Sequence, residues 1–456
     1  MKVSKWTVAL ALCVGAGCGG DAQVAPRNLL FVSIDTLRAD HVSCYGYGRE
    51  TTPHLDALAA RSQRFASCWS VLPTTLPAHT AMFTSLHPKL LGAIANGFPV
   101  AQEAYTLAER LRERGFATGA FVSAVPLHPR FGLDQGFDVY DHPQGEERRG
   151  DETRARAEEW LTARGDERFF AFVHLFDPHT WYDAPEAERA LFGAPPGPLP
   201  PERVFLQRPE AFGATQRAAL VDAYDAEIRF ADAQLGALLE LLERSGLADS
   251  TLVVVTSDHG ETLDELIDAY GYGYDHGEFL HARELHVPLV VHVPGGRGAR
   301  VHAAAVSQLD LLPTLLELLG VPRKGLLLGR SLVPLIDGGE LPPRPVFAER
   351  RTLTRGEVER PPSPYLAGEE YAVGEESWLF VTGAGRGESL HDLRADPAAA
   401  ADVAGAHADE CERLSGLLES WRETQEALGA QGPGVQTGEV DPALLEALRA
   451  LGYAAD

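Results

Sequence analysis

The side chains able to do chemistry fall in a few short stretches: Asp35, Thr75 with His79, Asp177 with His179, Asp258 with His259, and His276. Carboxylates and imidazoles in this mixture can hold one divalent cation. Oxygen ligands favour Ca, Mg or Mn, while imidazole accommodates Mn or Zn. Such an ion would lower the pKa of a coordinated Thr75 hydroxyl and neutralise charge building on a non-bridging oxygen of an anionic ester. His179 or His276 could then protonate the leaving oxygen. His79, Arg38 and Asp177 support the site or touch the substrate.

The stretch around Thr75 sets the expectation for the rest. Val71-Leu-Pro-Thr-Thr-Leu-Pro-Ala-His79 places one proline on either side of the threonines, Pro73 and Pro77. Each biases the residue before it away from helix, so Thr75 is expected in a rigid, extended turn. A helix starting near His79 would face its N–H groups and positive dipole end toward that turn.

Three apolar, β-branched runs each end in a carboxylate: 28–34 before Asp35, 169–176 before Asp177, and 251–255 before Asp258. Buried parallel strands read this way, and open α/β sheets bind ligands at the carboxyl ends of their strands. Helical patterns at 52–60, 106–114, 216–246 and 308–319 alternate with further strands at 115–123 and 286–294. This alternation predicts an α/β fold with a mainly parallel sheet between helices. Beyond about residue 340, short strands at turn-rich spacing and a helix over roughly 406–428 predict a small C-terminal α+β subdomain with an antiparallel sheet. The expected organisation is a signal over 1–18, a tether over 19–27, a catalytic domain over 28–340, a subdomain over 341–430 and a tail over 431–456. His174 and the helix residues Tyr224, Glu227 and Asp232 read as structural. The tyrosines of 270–274 suit either a substrate mouth or a simple loop.

The chain has 456 residues, 45% of them hydrophobic, enough for a large core. A formal net charge of −25 argues against general nucleic-acid binding, so positive potential for an anionic substrate must be local. Lys2, Lys5, an apolar run from Trp6 to Val14 and small residues before Cys18 form an export signal, too short to span a bilayer. Gly15-Ala-Gly-Cys18 resembles a bacterial lipoprotein signal, which implies a lipid on Cys18 and a periplasmic or cell-surface location. Plain cleavage and release is the alternative. Cys44 and Cys68 could form a bridge or stay as buried free thiols.

Taken in order, the motifs resemble the sulfatase family, within the alkaline phosphatase superfamily. Val32-Ser-Ile-Asp-Thr-Leu-Arg-Ala-Asp40, Thr52-Pro-His-Leu-Asp56, Phe176-Asp-Pro-His179, Thr256-Ser-Asp-His-Gly-Glu261 and His276-Gly277 carry the resemblance. Asp310-Leu-Leu-Pro-Thr314, Gly329-Arg-Ser-Leu332 and Leu390-His-Asp-Leu-Arg-Ala-Asp-Pro397 extend it to about residue 400. The resemblance implies one divalent metal on Asp35, Asp258 and His259, with Thr75 in the nucleophile's place and His179 and His276 as active-site histidines.

Two departures bear on the chemistry. The sulfatase signature runs Cys or Ser, x, Pro, x, Arg, and its first residue becomes formylglycine. Here the frame reads Thr75-Leu-Pro-Ala-His79, so no formylglycine is expected. Thr36 stands where many sulfatases place a second metal-binding aspartate. Thr-x-Pro resembles the nucleophile of superfamily members that cleave or transfer phosphodiesters. The expected function is therefore hydrolysis or transfer at a phosphate or phosphonate ester, as in a phosphodiesterase. The alternatives are a sulfuric ester hydrolase and a catalytically inactive, surface-displayed binding protein.

Overall fold

In a computed structural model, the structure describes residues 26–194, 199, 208–352, 368–375, 377–438 and 440–453. The signal, Cys18 and most of the tether lie outside the described residues.

The main sheet has eight strands: β1 (Asn28–Ile34), β2 (Gln63–Trp69), β3 (Ala117–Phe121), β4 (Val139–Asp141), β5 (Phe169–Leu175), β6 (Thr251–Thr256), β7 (His286–His292) and β8 (Arg300–Ser307). Their order is β4-β3-β5-β1-β6-β7-β2-β8, and only β7 runs against its neighbours. β1 is central because both its faces are apolar. Leu29 and Phe31 enter one core, Leu30, Val32 and Ile34 the other, as the two-residue period of a strand requires. The first core is covered by helices α2 (Thr75–Thr84), α3 (Leu107–Arg112) and α7 (Leu311–Leu318). The second is covered by α1 (Pro53–Ala59), α4 (Gly150–Thr162) and the long α6 (Ala214–Arg244); α5 (Glu186–Phe192) lies against α6. The mainly parallel sheet between helices follows the sequence reading.

A second, antiparallel sheet of four strands carries β9 (Val346–Arg350), β10 (Glu370–Glu375), β11 (Trp378–Gly383) and β12 (Gly387–Asp392). One face, through Phe347, Val373 and Phe380, packs with α8 (Ala408–Gly429) on the first core. The other, through Val346, Ala372 and Val381, meets Trp69, Leu280 and Leu285. The expected tail packs into the same core through Val435, Leu448, Leu451 and Tyr453, with helix α9 (Pro442–Ala450) capped by Asp441. Gln436 is fully buried and donates to the Thr84 carbonyl at 2.8 Å. The apolar residues of this segment have a ready partner in the core, so it does not hang free.

Candidate active site

Asp35, Asp258 and His259 leave the carboxyl ends of the adjacent parallel strands β1 and β6 and converge on α2. The turn after β1 is held in an uncommon conformation: Thr36 has φ 54°, the left-handed region. Three neighbours hold it there. Tyr224 donates to the Thr36 carbonyl at 2.7 Å and accepts from Arg38 N–H at 3.1 Å, and Thr36 N–H reaches Asp258 Oδ1 at 3.3 Å. Thr36 turns its own hydroxyl to the Asp35 carbonyl at 2.8 Å, away from the ligand cluster. Tyr224 thus supports the turn that aims Asp35.

Thr75 corrects the expectation of an extended turn. It is the first residue of α2, with Thr74 at the N-cap, and Pro77 sits inside the helix. The proline is tolerated because the N–H it lacks would have had no intrahelical partner in the first turn. The N–H before it, that of Leu76, is taken by Asn96 Oδ1 at 2.9 Å. His79 lies fully buried, one turn below. Its Nδ1 bonds the Thr75 carbonyl at 2.8 Å and its Nε2 meets Ser33 Oγ at 3.0 Å. Burial lowers its pKa to about 3, so it is a neutral strut under Thr75 that does not reach the rim.

Each candidate ligand keeps one side tied to the protein and the other bare. Asp35 Oδ2 bonds His174 Nε2 at 3.0 Å, while Asp35 Oδ1 has no partner. Asp258 Oδ1 accepts the His259 N–H at 2.9 Å, while Asp258 Oδ2 has none. His259 Nδ1 bonds the Gly260 carbonyl at 2.9 Å, leaving Nε2 without a hydrogen bond, 3.4 Å from Asp258 Oδ2. The Thr75 hydroxyl is likewise buried and unpartnered. Ligand atoms of Asp35, Asp258 and His259 lie within 4.8 Å of one another. Burial raises both carboxyl pKa values, and Asp35 pushes Asp258 up further. Bare, buried donors of this kind, set beside like charges, suit a divalent cation. A second grouping, His79 with His174 and Asp258, is less apt because both nitrogens of His79 are engaged.

His179 and His276 stand at the rim, both half-buried, with ring centroids 4.9 Å apart. The His276 ring is 4.4 Å from that of His259. The following turn abuts the start of α2: Gly277 has φ 86°, and a Cβ there would stand 2.9 Å from Thr74 Cγ2. His276 Nδ1 meets Glu261 Oε2 at 3.3 Å. Burial opposes a charge on His276, yet the Glu261 carboxylate overrides it and holds the pKa at about 10. His179 is the opposite case: burial, with His276 beside it, pushes its pKa well down, and its Nδ1 bonds the Thr180 carbonyl at 2.6 Å.

Arg38 and Asp177 do not converge on the ligand cluster. The Arg38 guanidinium, 2% exposed, is consumed by Asp40 at 2.9 and 2.7 Å, Glu265 at 2.7 Å and the Glu261 carbonyl at 3.3 Å. Four of its five N–H donors are bonded within the protein, which gives it a supporting role. Asp177 Oδ1 accepts the Gly150 N–H at 2.8 Å at the start of α4, and burial raises its carboxyl to about 6. Tyr272 and Tyr274 are fully buried and pack, so this pair does not line a mouth. Cys44, Cys68 and Cys411 are free thiols.

Two residues belong here that sequence reasoning set aside. His174, read as structural, orients Asp35. The signal was available: a lone histidine inside a fully buried apolar strand must find a partner. Glu261, quoted only as part of a motif, is the acidic partner of His276.

Comparison with known proteins decides the family. The sulfatase family model matches residues 27–321. The chain belongs to the sulfatase family. N-acetylgalactosamine-6-sulfatase of Canis lupus familiaris is 28% identical over 396 residues, covering 76% of this chain and 72% of that protein. Among solved structures, the phosphonate monoester hydrolase of Agrobacterium radiobacter superposes with a TM-score of 0.72 at 23% identity, covering 87% of this chain and 95% of that one. A structure in complex with its substrate D-glucosamine-2-N,6-O-disulfate gives a TM-score of 0.74 at 18% identity, covering 90% and 99%. The sulfatase-family member described here is an ester hydrolase of the alkaline phosphatase superfamily, a family whose sulfatases are metal-dependent.

Proposed function

We propose that this sulfatase-family protein cleaves phosphate or phosphonate esters with Thr75 as the nucleophile and one divalent cation on Asp35, Asp258, His259 and Thr75. The observation that carries this reading is the Thr75 hydroxyl. It is fully buried, without a hydrogen-bond partner, at the first position of the helix whose His79 bonds the Thr75 carbonyl at 2.8 Å and stands 3.8 Å from Asp258 Oδ2. When bound, the cation supplies Lewis acidity and counter-charge to the anionic centre. The N-terminal dipole of α2 favours the Thr75 alkoxide. Thr75, having lost its proton to bulk water, attacks phosphorus through Oγ, forms a phosphothreonine and expels the leaving oxygen; hydrolysis of the phosphothreonine returns the alkoxide. His276, charged through its contact with Glu261, donates a proton to that oxygen. Once neutral, His276 takes a proton from the water that hydrolyses the phosphothreonine. His174 fixes the orientation of Asp35, and His79 fixes the carbonyl of Thr75.

Threonine favours phosphorus over sulfur. Hydrolysis of a phosphothreonine needs no geminal diol, whereas a sulfated threonine has no elimination route of the formylglycine kind. The competing reading, sulfate-ester hydrolysis, draws on the 28% identity to an N-acetylgalactosamine-6-sulfatase. Purified protein assayed against aryl phosphodiesters, phosphonates, phosphomonoesters and sulfates, with several divalent metals, separates the two. Robust sulfatase activity with only trace activity on phosphorus esters would overturn the preference.

No helix among the described residues is long and apolar enough to cross a membrane. Export, with a lipid on Cys18 as the membrane attachment, accords with the sequence of residues 1–18. Cys18→Ala is expected to move the protein from the membrane fraction to the soluble one; unchanged fractionation refutes the anchor.

A further inference from the structure

Behind the rim histidines lies a buried acid that touches none of the groups assigned a chemical step. Glu284, in the helical turn Ala282–Leu285, has no exposure to solvent. Its Oε1 accepts the Thr262 hydroxyl at 2.6 Å and the Tyr272 hydroxyl at 3.3 Å. Its Oε2 accepts the Gly277 N–H at 3.0 Å, and its backbone carbonyl accepts the Gly260 N–H at 2.8 Å. One residue therefore ties the loop of Asp258 and His259 to the turn of His276. Thr262 and Asp275 join the same two segments by backbone bonds at 3.1 and 3.2 Å. On its other side Gly277 presses on Thr74, so the turn is clamped between Glu284 and the start of α2.

We infer that Glu284 is a positioning residue that sets where His276 stands relative to Thr75, and so controls proton delivery to the leaving oxygen. A buried carboxylate is costly unless its oxygens are bonded, and here the bonded donors are the backbone and side chains of the catalytic loops. A leucine would fill the space but would leave the Gly277 N–H unbonded and the turn free to drift. A displacement of about 1 Å at a reacting group is enough to lose about 10²-fold in rate.

This inference rests on the reading of His276 as the general acid, and the test separates the two. Glu284→Leu keeps most of the volume but removes the acceptor of the Gly277 N–H, so the turn loses its tie to the 282–285 segment. kcat/KM is measured for 4-nitrophenyl and phenyl esters of phenylphosphonic acid, or for the matching aryl sulfates where those are the esters turned over. The ratio between the two substrates does not depend on the folded fraction. E284L is expected to leave the good leaving group within about threefold and to slow the poor one by about 10–100-fold, because only the poor one needs the acid. Bound metal is expected to stay at the wild-type level. His276→Ala should show the same selectivity. If H276A slows both substrates equally, the acid assignment fails. If H276A is selective and E284L is not, the role of Glu284 fails and the acid assignment stands. Should E284L not fold, Thr262→Val removes one donor from the carboxylate and is held to the same criterion with a smaller loss. A crystal structure of the folded variant adds a readout free of turnover: a 275–277 turn unmoved against Thr74 overturns the proposal.

Discussion

Thr75→Val isolates the hydroxyl from the rest of the side chain. In metal-free protein that hydroxyl is buried with no partner, a state that costs about 1–3 kcal/mol. Valine keeps the branched shape and replaces the oxygen with a methyl group, so in EDTA the variant should be about 1–2 kcal/mol more stable than wild type. With about 2.1 cal/mol/K of unfolding entropy per residue, a chain this long would rise by about 1–2 °C in Tm. With a divalent cation present the order should reverse, because wild type gains a fourth ligand that the variant lacks. Turnover should fall by several orders of magnitude, about 10⁴-fold or more, as for other lost nucleophiles. Thr75→Ser should retain part of the activity, since it supplies the same alkoxide with one methyl fewer. Paired thermal melts with EDTA and with metal, alongside kcat/KM on the best ester, check all three statements. A Thr75→Val protein that loses 1 kcal/mol or so in EDTA means that the hydroxyl has a partner. One that keeps activity within about tenfold of wild type removes Thr75 as the nucleophile.

Asp258→Asn should abolish stoichiometric metal binding and erase the Tm difference between EDTA-treated and metal-loaded samples; metal analysis after dialysis checks it. His174→Ala should weaken metal affinity by about 10–100-fold without removing any ligand, because it frees Asp35 to rotate; a competition titration with a chelator gives the number. Asp232 receives the His54 and Leu55 N–H groups at the start of α1, yet burial raises its carboxyl from 3.8 to about 7. Its raised folded pKa means the folded state binds the proton more tightly, so its contribution makes stability fall as pH rises from about 4 to about 7 and level off above. Asp232→Asn should remove that slope relative to wild type, read as the pH dependence of the urea midpoint.

The strands that deliver Asp35 and Asp258 were legible because a buried parallel strand leaves an unmistakable apolar run, and its end is where ligands bind. The antiparallel sheet after residue 340 was legible from turn spacing. The conformation at Thr75 was not: the proline rule is correct for helix interiors and fails in a first turn, and sequence alone does not say which turn Pro77 occupies. Arg38 reads as a residue that supports the site or touches the substrate, and the sequence does not say which. Only the fold shows that Asp40 and Glu265, one of them 227 positions away, take up its guanidinium. His174 and Asp35 meet across neighbouring strands whose register is set by the whole sheet, and no local spacing encodes that meeting. Tyr224 on α6 reaches the Thr36 turn for the same reason.

The arrangement of bare atoms has a consequence for how metal and fold depend on each other. Asp35, Thr75 and Asp258 come from three segments far apart in sequence, and each keeps its free atom only because another bond fixes the rest of the residue. His174 holds one oxygen of Asp35, the His259 and Thr36 N–H groups hold one oxygen of Asp258, and His79 holds the carbonyl of Thr75. Without a cation, burial pushes both carboxyl groups toward protonation, and Asp35 pushes Asp258 further. A divalent ion held by these residues would offset that charge and give the unpartnered hydroxyl and imidazole a ligand role. Since the unfolded chain offers no such cluster, binding free energy at this site adds to folding free energy. Metal dependence of activity and metal dependence of stability should therefore follow the same titration. A protein whose melting temperature ignores a metal that its catalysis requires would mean that the ion binds through the substrate and not through these four residues.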